Sequence, residues 1–121
     1  MDRIGILLYG YNMNDAKGLR SIIEKGLGRK IILFSASGME DKNLQEVLDA
    51  ANVSSFEDCE TKILIFLGFL DGDMQKTMQM ISGKDITRPI FCTLTAENIH
   101  WTLKVLIEHL CKEALYWGKK K

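Results

Sequence analysis

The chain has 121 residues, 46% of them hydrophobic and 26% charged, with 16 basic side chains against 16 acidic ones. That is enough to bury one core and predicts a single α/β domain over residues 1–121, while a formal charge of zero gives no field to hold a nucleic acid or an anionic membrane. Cys59, Cys92 and Cys111 are widely spaced and in no CxxC pair, which fits a reducing compartment, and the apolar run from Ile63 to Leu70 is far short of the ~20 residues of a membrane helix.

The opening stretch MDRIGILLYG has one Arg and a brief apolar run without a small-residue cleavage site, which predicts a cytoplasmic protein. Arg3 to Tyr9 reads as a strand buried on both faces, ending at Gly10. Asn12 or Asn14 can cap a helix with an apolar stripe of Ala16, Leu19, Ile22, Ile23 and Leu27, stopped by Gly26 or Gly28. Lys30 to Phe34 is a second strand, followed by the loop residues Ser35 to Gly38. A second helix, roughly Lys42 to Ala51, buries Leu44, Val47, Leu48 and Ala51; the stretch from Asn52 to Thr61 has no period and reads as a connection.

Lys62 to Leu67 is the third strand, closing on Gly68-Phe69. Asp71 or Asp73 can cap a third helix with Met74, Met78 and Ile81 inside and Ser82-Gly83 as its stop. The best-marked stretch is Arg88 to Trp117. Pro89 bars a helix and frees Ile90 to Leu94 to be a strand, and Thr95 is placed to cap one long helix. Its core stripe is Ile99, Leu103, Leu106, Ile107, Leu110, Ala114 and Trp117, which leaves Trp101, Val105 and Tyr116 on the far side as a candidate partner face, for a homodimer or another protein.

Four alternations of strand and helix predict a flavodoxin-like, three-layer domain: a four-stranded parallel sheet with helices on both faces. A displacement of 58 residues sets Gly10-Tyr11 on Gly68-Phe69, Asp15 on Asp73 and Ile32 on Ile90, so residues 1–58 and 59–116 are candidate repeats of one βαβα unit. With the twofold axis taken parallel to the strands, the sheet order is 2-1-3-4, with helices 1 and 4 on one face and helices 2 and 3 on the other. Both Gly-aromatic corners then meet at the switch point.

That convergence nominates Gly10, Tyr11, Asn12, Gly68, Phe69, Asp71, Thr95 and Asn98 as ligand-binding candidates, with two helix N-termini suited to a small anion. Neither GxGxxG nor GxxxxGK[ST] occurs, which disfavours nucleotide cofactors, and no cofactor is expected. His100 and His109 point in different directions from one helix, so no metal site is expected. Asp71, Asp73 and Glu97 are the candidate acids should there be catalysis, and no catalytic residue is assigned.

Pro89-Ile90-Phe91 followed by Thr95-x-x-Asn98-x-x-Trp101-x-Leu103, a Leu-rich run and Glu113 resembles a small prokaryotic family, domain of unknown function 3783. The likeness covers about Lys62 to Glu113. It implies no activity, and marks Pro89, Thr95, Asn98 and Trp101 as positions to watch. The resulting reading is a non-enzymatic ligand-binding, regulatory or protein-interaction module, with a small enzyme using an acidic site at the carboxyl edge of the sheet as the alternative.

Overall fold

The computed structural model describes residues 4–50, 56–81 and 86–119, with side chains through residue 112 except that of residue 50. The elements alternate as the apolar runs require: β1 (Ile4–Tyr9), α1 (Met13–Leu27), β2 (Ile31–Ser35), α2 (Leu44–Ala50), β3 (Ile63–Leu67), α3 (Asp71–Ile81), β4 (Ile90–Thr93), a 3-10 turn (Asn98–His100) and α4 (Leu103–Lys119). They form one four-stranded sheet in the order β2-β1-β3-β4.

The expected parallel sheet is corrected at its centre. β1 pairs with β2 and β3 with β4 in parallel, but β1 and β3 run antiparallel. The cause lies in residues 56–62. Glu57 N donates to Ser37 Oγ at 3.0 Å and Cys59 N to the Gly10 carbonyl at 2.9 Å, so the chain crosses the carboxyl ends of β2 and β1 before it enters β3 from that side.

This direction changes the symmetry. Displacement by 58 residues carries Gly5↔Ile32 onto Ile63↔Ile90 and Leu8↔Ser35 onto Phe66↔Thr93, so the two parallel ladders share one register. In the central ladder Leu7 faces Ile65, its own counterpart. The approximate twofold axis is therefore perpendicular to the sheet, not parallel to its strands. Such an axis keeps each face on its own side, and α1 and α3 share one face while α2 and α4 share the other. The expected pairing of helices 1 with 4 and 2 with 3 is overturned for that reason.

The two cores follow strand alternation. Ile4, Ile6, Leu8, Leu64 and Phe66 pack with Ala16, Leu19 and Ile23 of α1 and Ile81 of α3. Leu7, Ile63 and Ile65 pack with Leu44 and Val47 of α2 and Leu103, Leu106 and Leu110 of α4. α1 and α3 approach closely at Gly26, whose missing side chain leaves the place that Met80 fills.

Local chemistry decides the helix ends. Asn12 caps α1 by accepting from Asp15 N, and Gly28 ends it in the left-handed region at φ +68°. α2 starts later than expected, with Asn43 and Glu46 in a reciprocal capping box. α3 begins at Asp71, so Asp71 and Asp73 occupy its first turn and favour the helix dipole instead of capping it. Its expected stop at Ser82-Gly83 lies outside the described residues.

The expected single helix after β4 is divided. Thr95 opens only the 3-10 turn, and Trp101 is extended at φ −76°, ψ 149°. Leu44 N donates to the Trp101 carbonyl at 3.0 Å and Leu103 N to the Lys42 carbonyl at 2.8 Å, so a bridge between Asn43 and Thr102 holds the chain extended before α4 starts. Thr102 Oγ1 then caps α4 by accepting from Val105 N.

Both sheet margins are blunted. On β4, Ile90 N donates inward to the Lys62 carbonyl, so the backbone nitrogens of buried Pro89 and of Phe91 face away from β3, and the Thr93 carbonyl accepts from Asn98 Nδ2. On β2, Ile31 N donates to the Glu24 carboxylate at 2.9 Å.

Candidate functional site

Because β1 and β3 oppose each other, the two glycine corners lie at opposite ends of the sheet. Gly10, Tyr11 and Asn12 are at one end, and Gly68, Phe69, Asp71, Thr95 and Asn98 gather at the other. The single pocket expected between the corners is overturned, and with it the convergence of two helix N-termini on one anion.

At the first end every candidate is engaged in structure. Gly10 is buried at φ +91°, and a Cβ there would overlap the Thr61 carbonyl. Tyr11 is 0% exposed and its hydroxyl donates to the Thr87 carbonyl at 2.6 Å. Burial, then the charge of Asp15, pushes that hydroxyl's pKa upward. Lys62 stitches this corner to β3. Its ammonium donates to the Gly10 carbonyl at 2.7 Å, the Cys59 carbonyl at 2.6 Å and the Asp58 carboxylate at 2.9 Å, and it stands 5.3 Å from the centre of the Tyr11 ring. On the α2 and α4 side, Tyr9 donates to Glu40 at 2.7 Å; burial first, and then that bond, raise its pKa.

At the second end, Thr95 and Asn98 are spent on each other. Thr95 N donates to Asn98 Oδ1 and Asn98 N to Thr95 Oγ1, both at 2.9 Å, while Asn98 Nδ2 holds the Thr93 carbonyl at 3.0 Å. This clamp ends β4 and starts the turn. Gly68, at φ +76°, ends β3 and is exposed, as is Asp71 in the first turn of α3.

Around this clamp the surface is concave. A hollow of about 380 Å³ runs between α3 and β4, floored by Phe66, Phe91, Met74 and Met78 and rimmed by Asp71 and Gln75. A second, of about 420 Å³, lies over the strand ends at Gly68, Phe69 and Leu94. Phe66 links the two: its ring lies 4.8 Å from that of Phe69, tilted by 59°, and 5.7 Å from that of Phe91, nearly parallel. The Arg88 guanidinium covers Phe91 at 4.8 Å. The mostly apolar lining with a few polar rim groups suits an apolar ligand group, not an ion.

The sequence pattern assigned Met74 and Met78 to the core stripe and passed over Phe91. The signal was position: a strand last in the order has one uncovered side, so its aromatic and the methionines of the adjoining helix stay half-buried.

On the other face of β4 a third hollow, of about 420 Å³, includes Cys92, Glu97, Trp101 and His109. Trp101 is not on the far side of a helix as expected. It precedes α4, half-buried, packs against the core and meets the His109 ring edge-on at 5.2 Å. Val105 is 48% exposed, and the Tyr116 side chain lies outside the described residues.

Among the described residues no group of three or more His, Cys, Asp or Glu could hold a metal ion, and no helix is long and apolar enough to cross a membrane. No curated protein and no solved structure matches the chain. Residues 62–116, which carry β3, α3, β4 and most of α4 together with the Asn98 clamp and the aromatic hollow, match the model of the family described as Domain of unknown function (DUF3783), the family that the Pro89, Thr95, Asn98 and Trp101 pattern resembles.

Proposed function

We propose that the protein is a small cytoplasmic binding module that takes an apolar group of a ligand or partner into the hollow between α3 and β4. The observation that carries this reading is the floor of half-buried Phe91, Met74 and Met78 around buried Phe66, beside polar rim groups at Asp71 and Gln75. Methionines adapt to ligand shape at little cost, and aromatic faces supply most of the contact area.

Non-enzymatic binding is favoured over acid-base work by the placement of the acids. Asp71 and Asp73 are two residues apart on a helix and so diverge, and Asp73 lies 3.9 Å from Arg29. Trp101 and Val105 form a second candidate contact, for another copy or another protein. The chain acts as one domain in which two βαβα units are copies, a reading supported by their common ladder register.

The test is a thermal-shift screen of apolar and amphipathic metabolites, followed by amide chemical-shift mapping. Ligands should perturb Phe66, Met74, Met78 and Phe91, and Phe91→Ala should abolish the gain in melting temperature. Failure of every compound to shift these residues would sink the reading, and turnover of a bound compound would replace it with an enzyme.

A further inference from the structure

The two ends of the sheet are built to one plan but are finished differently. At the first, residues 56–62 lie across the carboxyl ends of β1 and β2. Phe56 packs against the α1 and α3 core, Glu57 N donates to Ser37 Oγ and Cys59 N to the Gly10 carbonyl. Beneath this strap Gly10, Tyr11, Ser35, Ala36 and Ser37 are all buried.

The twofold axis carries those residues to Gly68, Phe69, Thr93, Leu94 and Thr95. There the burial is lost: Gly68, Thr93 and Thr95 are exposed, Phe69 and Leu94 are half-buried, and Leu70 is 72% exposed. Between them lies the hollow of about 420 Å³. Among the described residues, the seat that a strap fills at one end is open at the other.

Its chemistry differs in two ways. The Thr95 hydroxyl oxygen already accepts from Asn98 N, which leaves it one lone pair for a counterpart of the Glu57-to-Ser37 bond, and an aromatic anchor contributes more of the binding. The rim is also acidic. Exposed Asp71, in the lining of this hollow, stands where the first end has Met13. A carboxylate at this rim favours a segment that carries positive charge.

We propose that the open corner over β3 and β4 docks an extended segment of a partner protein, with an aromatic side chain seated against Phe66, Phe69 and Met74 and a flanking lysine or arginine facing Asp71. The proposal rests on the reading of this edge as a binding surface and names the kind of partner it takes.

The experiment titrates the isotope-labelled full chain with three short capped peptides: Ala-Lys-Phe-Lys-Ala-Lys, its Phe-to-Ala form and its Lys-to-Glu form. The first should shift the amides of Gly68, Phe69, Thr93 and Leu94 with a dissociation constant of ~1 mM or tighter. The second and third should bind at least about fivefold more weakly. Asp71→Lys, an exposed change that leaves the core intact, should reverse the preference between the lysine and glutamate peptides. Equal binding of all three, or shifts confined to the Val105 side, would overturn the proposal. If no peptide binds while apolar small molecules still shift Phe66 and Phe91, the partner class is wrong and the binding-module reading stands; if neither binds, both fall.

Discussion

Leu7 and Ile65 face each other across the central antiparallel ladder, and each is the other's counterpart under a displacement of 58 residues. This pair marks the axis about which the halves turn. It also dictates that equivalent loops point to opposite ends of the molecule, so each end must be tested on its own.

Gly10→Ala should be strongly destabilising. The Cβ would overlap the Thr61 carbonyl, and the backbone at φ +91° disfavours any L side chain. A loss of about 3 kcal/mol or more is expected in urea denaturation. A loss below about 1 kcal/mol would mean that residues 56–62 do not seal this corner.

Lys62→Met keeps the apolar stem but leaves the Gly10 and Cys59 carbonyls without their ammonium. The Lys62 side chain is 11% exposed, and the change should cost about 2–3 kcal/mol. Asp58→Asn removes the other half of the ion pair at a side chain 63% exposed, and should cost less than about 1 kcal/mol. Equal effects would show that the ion pair, and not the two carbonyls, is what Lys62 serves.

Asn98→Ala should cost about 2 kcal/mol, because the Thr95 amide and the Thr93 carbonyl both lose a partner. Asn98→Asp restores the acceptor for Thr95 N but not the donor to Thr93, and should fall between wild type and alanine. Amide exchange at Thr95 separates the two bonds: it should be fast in the alanine variant and slow in the aspartate one.

Tyr9 and Tyr11 hold their protons to higher pH in the folded chain than their ordinary value near 10, in both cases chiefly through burial. Below pH 10 both forms of the chain keep these protons and the contribution to stability is complete. As pH rises past 10 the unfolded chain releases them first, so stability falls, by up to about 1.4 kcal/mol per pH unit for each group. Tyr11→Phe should flatten that decline between pH 10 and 11 while losing about 1 kcal/mol at pH 7 through the bond to Thr87. An unchanged slope would contradict the burial of this hydroxyl.

The elements and the strand order were legible because apolar runs and their glycine stops are local. The direction of β3 was not. Ile63 to Leu67 is apolar at every position and central in the sheet, so it fits either direction equally well; what decides is the route of residues 56–62, a stretch without periodicity. The start of α4 was hidden for a similar reason. Thr95 Oγ1 does accept from the amide of Asn98, but what it opens is a 3-10 turn and not the long helix expected, because the extended Trp101 depends on Lys42 and Leu44, nearly 60 residues earlier in the chain. Faces and corners followed the direction of β3, and the expected pocket was lost with it.

The outer margins of the sheet carry one more consequence. A layer made by turning one unit about an axis ends in two similar borders, and each could accept another unit and so propagate from molecule to molecule. Proline at position 89, the Asn98 amide on the Thr93 carbonyl and the Glu24 carboxylate on the Ile31 amide act as terminators of that growth. Removing them together, and not any single one, is the change that would turn a closed four-stranded layer into the first link of a filament.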